Sequence, residues 1–185
     1  MAITISGDSP NLTSAGLASP VFSGTASGTV LVSGTAVAST SGTSIDFTSI
    51  PSWVKRITIM FNGVSTIGTS NIQVQIGAGS VTTSGYVSSI VGGSTGNLLS
   101  GTTATSGFLC VQQLIATFLN NGQLVLTLAN TNLWVASSVM TTSTLASGVI
   151  GGGSITLGGT LDRVRITTVN GTDTFDAGSI NILYE

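Results

Sequence analysis

Histidine is absent from this sequence, and ions are scarce. Four Lys and Arg and six Asp and Glu make up 5% of 185 residues, where soluble domains usually carry about 25%. Without histidine there is no Ser–His or Cys–His nucleophile pair and no imidazole metal site. The single cysteine, Cys110, forms no intrachain disulfide and reads as a small core hydrophobe. The carboxylates are Asp8, Asp46, Asp162, Asp173, Asp176 and Glu185. A glycosidase needs two flanking one bond. Only Asp173 and Asp176 are close in sequence, and "NGTDTFDAGS" around them is turn chemistry. The chain reads as a protein without catalytic residues, cofactor or metal.

The four cations fall into two pairs, Lys55–Arg56 and Arg163–Arg165, against a net charge of −2. Two pairs cannot build the basic stripe that neutralises phosphates, so no nucleic-acid partner is expected. No basic, apolar leader opens "MAITISGDSPNLTS". The most apolar run, "FLCVQQLIATFL", falls short of the roughly 20 residues of a bilayer-spanning helix, so no membrane insertion is expected. The exposed polar surface must instead be built from hydroxyls and amides. Such a surface gives little repulsion between copies and predicts a homo-oligomer.

Residues 1–43 are dominated by small side chains and cannot bury a core of their own. They read as an extended N-terminal arm or short shaft. The alternation in "AITIS" predicts strand pairing there, with Ile3 and Ile5 as apolar anchors to a larger particle. Residues 44–185 read as strands. "WVKRITIMF" puts Ile57, Ile59 and Phe61 on one face, and "NIQVQIG" puts Ile72, Val74 and Ile76 inward with Gln73 and Gln75 outward. "NNGQLVLTLAN" aligns Leu124, Leu126 and Leu128, and "SINILYE" aligns Ile180, Ile182 and Tyr184. "FLCVQQLIATFL" reads as a longer strand. Asn62-Gly63, Asn121-Gly122 and Asn170-Gly171 read as hairpin turns. Period-two alternation, frequent turns and no helical periodicity predict an all-β fold, an antiparallel β-sandwich of jelly-roll-like type.

Arg56, Arg163 and Arg165 are predicted to face away from the apolar side of their strands, with Asp46 and Asp162 near them in sequence. Ion pairs across strands or subunits follow, and at a subunit interface they would fix register. Trp53 and Trp134 are the candidate residues for stacking on a glycan.

Two strings carry a resemblance. "SIDFTSIPSWVKRITIMFNGVSTIGTSNIQVQIG", followed by "SGYVSS", and the closing "LDRVRITTVNGTDTFDAGSINILYE" resemble a recurrent C-terminal β-rich module of tailed-bacteriophage structural proteins, tail-fibre-like or virion-surface. "NTNLWVASSVM" looks like a further piece of it, and "SPVFSGTASGT" is similar to fibre shafts. The resemblance implies a homotrimer of β-rich subunits on the virion surface, assembled in the bacterial host cytoplasm. It implies a tail or capsid protein as the partner of the arm. Only about 43 residues precede the module, which implies a short fibre or head-fibre appendage. The alternatives are a capsid decoration protein or a carbohydrate-binding module for host surface glycans. No catalytic residues come with the resemblance.

Overall fold

The computed structural model describes residues 31–94, 100–142 and 147–185. Ile3 and Ile5, the expected anchors, and the shaft-like stretch lie outside the described residues. The strands are β1 (Val32–Ser33), β2 (Val37–Ala38), β3 (Ser44–Thr48), β4 (Arg56–Thr66), β5 (Ile72–Ala78), β6 (Ser80–Val81) and β7 (Val87–Ser94). They continue as β8 (Ser100–Ala104), β9 (Phe108–Val111), β10 (Asn120–Asn130), β11 (Leu133–Thr142), β12 (Ser147–Thr156), β13 (Arg163–Thr168) and β14 (Phe175–Tyr184). The fold is all-β and sandwich-like, with two antiparallel sheets and no closed barrel.

Nine strands form the larger sheet, in the order β1-β14-β4-β10-β11-β12-β7-β8, with β2 also on β14. Five form the smaller one, β3-β13-β5-β6, with β9 also on β5. The alternation read from the sequence becomes burial. Ile57, Ile59 and Phe61 of β4, Leu124 and Leu126 of β10, and Ile180 and Ile182 of β14 point into the core. They meet Ile45, Val74, Ile76, Val164 and Ile166 of the smaller sheet in one continuous cluster. β9 is buried along its whole length, and Tyr86 packs edge-on against Phe108 at 5.0 Å. The Tyr86 hydroxyl lies 2.8 Å from the Ile76 N–H, which donates to it, and within reach of the Ile76 and Thr82 carbonyls. Tyr86 immediately precedes β7, so it ties the larger sheet to β5 of the smaller.

Three expectations are corrected. Asn62-Gly63 and Asn121-Gly122 are not turns. β4 and β10 run straight through them, and their mutual register shifts between Asn120 and Gly122. A second irregularity, around Gly178, lies on the other side of β4. Gly63 and Gly178 have φ of 63° and 90°, and a Cβ on Gly178 would lie 2.4 Å from the Gly63 carbonyl oxygen. The glycines therefore serve stacked bulges. Only Asn170-Gly171 makes a turn, where the Asn170 side-chain oxygen accepts from the Thr168 hydroxyl and the Thr172 N–H. Second, "FLCVQQLIATFL" stops being a strand at Val111. Asn71 Oδ1 accepts from the Gln113 N–H, and the Gln113 side chain donates to the Ile115 carbonyl. Both bonds take the chain off the ladder. Third, Gln73 and Gln75 are buried rather than solvent-facing. β5 is flanked on both sides, and Ser106, next to Gly107, covers their face through hydrogen bonds.

Candidate functional site

The outward face of the smaller sheet carries Asp46, Arg163 and Arg165. Asp46 of β3, Arg165 of β13 and Gln75 of β5 lie in register across three neighbouring strands. Arg165 donates to both oxygens of Asp46, at 2.7 and 3.0 Å. These hydrogen bonds raise the Arg165 pKa above its ordinary value. The next row is Ser44, Thr167 and Gln73. Together these rows floor a groove of about 320 Å³, walled by Ser106 and the Asn170 turn.

Gln73 is held on both ends of its amide. Its oxygen accepts from the Ser106 hydroxyl at 2.8 Å, and its nitrogen approaches the Thr168 carbonyl at 3.4 Å. Gln75 donates to the Ser106 carbonyl at 2.9 Å. Its carboxamide oxygen has no hydrogen-bond partner among the described residues. The groove is thus a fixed arrangement of amides and hydroxyls with one neutralised guanidinium. Such a lining suits a neutral, hydroxyl-rich ligand better than an anion, because Asp46 already occupies Arg165 bidentately.

The arginines expected in ion pairs have partners within the chain. Arg163 bonds Asp162 at 2.7 and 3.1 Å, and this contact holds the Asp162 carboxyl below its ordinary pKa. Arg56 lies 3.3 Å from Glu185. Each arginine that was expected to serve a subunit interface therefore has a carboxylate of its own chain. All three pairs are part-exposed, so solvent screening leaves each with little net contribution to stability. Asp173 accepts from the Ser70 N–H and the Asn170 amide, and Asp176 from the Ser65 hydroxyl. Both act as loop and strand-end clasps.

Trp53 and Trp134, the residues considered for glycan stacking, differ in exposure. Trp134 is 2% exposed in the core and offers no face to a sugar. Trp53 is 44% exposed, with its ring centroid 5.8 Å from that of Tyr184. Cys110 is fully buried, and that burial pushes its thiol pKa up. Among the described residues no group of three or more Cys, Asp or Glu could hold a metal, and no helix is long and apolar enough to cross a membrane.

No family model, curated protein or solved structure matches the chain.

The groove was missed in the sequence because Gln73 and Gln75 look like the wet side of an amphipathic strand. Gln75 lies opposite Arg165 and Gln73 opposite Thr167. The pairing of β5 with β13 is long-range and no local pattern announces it.

The two strings with the most specific resemblance also meet. Tyr184 pairs with Ile57, and the Glu185 carbonyl accepts from the Lys55 and Arg56 N–H groups at 2.7 and 2.8 Å. The Trp53–Tyr184 ring contact joins the same two segments. β13 likewise sits between β3 and β5. The opening and closing segments of residues 44–185 thus form one paired unit that spans both sheets.

Proposed function

We propose that this chain is a structural protein of a tailed-bacteriophage virion, a short tail-fibre-like or head-fibre appendage. The observation that carries the reading is the meeting of "IPSWVKRIT" with "SINILYE" in one antiparallel pair. The two strings that resemble the phage module are far apart in sequence, yet each completes the other. In this reading the subunit is a jelly-roll-like sandwich that assembles as a homotrimer. Residues 1–43 attach it to a tail or capsid protein by strand addition, and the β domain projects from the virion surface. Residues 32–38 lie as short strands on the edge of β14, which is the kind of pairing that strand addition uses. Its work is assembly and adhesion rather than turnover.

Deleting residues 2–6 is expected to release the protein from purified particles while leaving a soluble oligomer. Retention of the truncated protein on the particle overturns the arm assignment. Labelling the subunit and imaging intact particles separates a tail appendage from a capsid decoration protein.

A second reading, recognition of a host surface glycan, is favoured by the polar groove beside Gln75. The groove places it away from the tryptophans. Glycan-array binding that is lost in Gln75→Ala and kept in Trp53→Ala supports the groove. The reverse pattern supports Trp53.

A further inference from the structure

The outward face of the larger sheet differs in kind from the groove side. Its residues can be followed row by row across β11, β12 and β7. Val139, Ile150 and Val91 are in register and form a ridge of β-branched side chains. Val139 is 61% and Ile150 58% exposed. On one side of the ridge lies the row Ser137, Gly152 and Ser89, and on the other Thr141, Gly148 and Gly93. Both flanking rows are made of small residues. A shallow depression of about 270 Å³ lies where Ile150 and Val91 border Gly152 and Ser89. Beyond it the next row brings Val135, Ser154 and Val87, the last 70% exposed.

We infer that this ridge-and-trough face is where copies of the chain pack on one another, the ridge of Val139, Ile150 and Val91 seating in the Ser137–Gly152–Ser89 trough of a second copy. The inference rests on the homo-oligomer reading above and names its surface. Three features select a second copy as the occupant. The relief is self-complementary, because rows on one face of a strand repeat every two residues, about 6.8 Å, so ridge and trough share one spacing. The face carries no charge on β7, β11 or β12, so two copies meet without like-charge repulsion or stranded ions. Its extent also suits. The four rows occupy parts of the six strands β4-β10-β11-β12-β7-β8 and, at about 4.8 Å between strands and about 6.8 Å between rows, cover about 700 Å², close to the roughly 800 Å² each partner supplies to a standard interface. Among the described residues of these six strands the one ion is Arg56, at the margin and already paired with Glu185.

The test is the mass of the full chain in solution, by light scattering, for wild type and for Val139→Lys/Ile150→Lys. The wild type is expected as an oligomer, above the 18.4 kDa of one chain. The double variant is expected to fall to the 18.4 kDa monomer with an unchanged far-ultraviolet spectrum. A monomeric wild type overturns the oligomer reading and this inference with it. An oligomeric wild type with an equally oligomeric double variant overturns the face alone. If the lysines impair folding, Ser137→Cys answers the same question. Cys110 is fully buried and stays silent, so the new thiol reports the trough. Maleimide labelling of the oligomer is expected to be at least tenfold slower at Ser137→Cys than at the exposed control Thr172→Cys. Equal rates in the oligomer overturn the face assignment.

Discussion

The two outward faces of this sandwich come from one charge-poor sequence and are opposites. The smaller sheet carries Asp46, Arg163 and Arg165 on its outer side, with two buried glutamines and a groove of hydroxyls and amides. The larger sheet shows Val, Ile, Ser, Thr and Gly across β7, β11 and β12. The contrast teaches that a low overall count of ions need not mean an even thinning. Here charge is withdrawn from one face and kept on the other. The face that keeps it uses it within the chain, since Asp46 and Asp162 are both bonded to arginines of the same chain.

The largest break in that contrast should come from beneath the ridged face. A Cβ on Gly153 would lie 2.2 Å from the Val87 carbonyl oxygen and 3.1 Å from Phe108. Gly153→Val is expected to force β12 and β7 apart and cost about 3 kcal/mol or more, read by denaturant unfolding. A milder loss marks the tie between the sheets. Tyr86→Phe leaves the buried Ile76 N–H without its hydroxyl partner and is expected to cost about 1–3 kcal/mol.

The same tyrosine gives a pH test. Burial pushes its pKa up from 10.0 to about 12. Above pH 10 the unfolded chain loses this proton while the folded chain keeps it. Stability is therefore expected to fall as pH rises from about 10 towards 12, and Tyr86→Phe is expected to flatten that slope. Smaller again is Arg165→Met on the polar face, which removes a part-exposed pair and is expected to change stability by about 0–1 kcal/mol. At the bottom of the scale, Val139→Thr on the ridge is expected to leave the stability of the chain, measured at dilutions where it is a monomer, within about 0.5 kcal/mol, because within one subunit the side chain is exposed. A large drop there would mean that the ridge belongs to the subunit's own core, and the contrast between the faces would be wrong.

The all-β class and the inward registers of β4, β10, β13 and β14 were legible, because period-two alternation is local. Three features were not. An Asn-Gly pair marks positive φ, which a bulge needs as much as a turn does, and only the partner strand decides between them. Gln113 leaves the β9 strand because Asn71 receives its N–H, 42 residues away in sequence. Gln73 and Gln75 are covered by the segment around Ser106, again a distant partner. At the site, the arginines' outward direction followed from alternation, whereas the Arg165–Asp46 pairing joins residues 119 apart in sequence and no local pattern shows it. The burial of Trp134 was not legible either, because an aromatic on a strand carries no local sign of which face it takes.

β14 lies inside the larger sheet, between β4 and the short strands β1 and β2. Ribosomes add about 5–20 residues per second, so roughly 6–25 s separate the making of Ile57 from that of its ladder partner Tyr184. Throughout that interval the nascent chain holds one flank of β4 open, a vacancy that a neighbouring polypeptide on the same messenger can fill in error. The vacancy closes only when synthesis reaches Phe175–Tyr184, so faster elongation shortens the time in which such mispairing can occur.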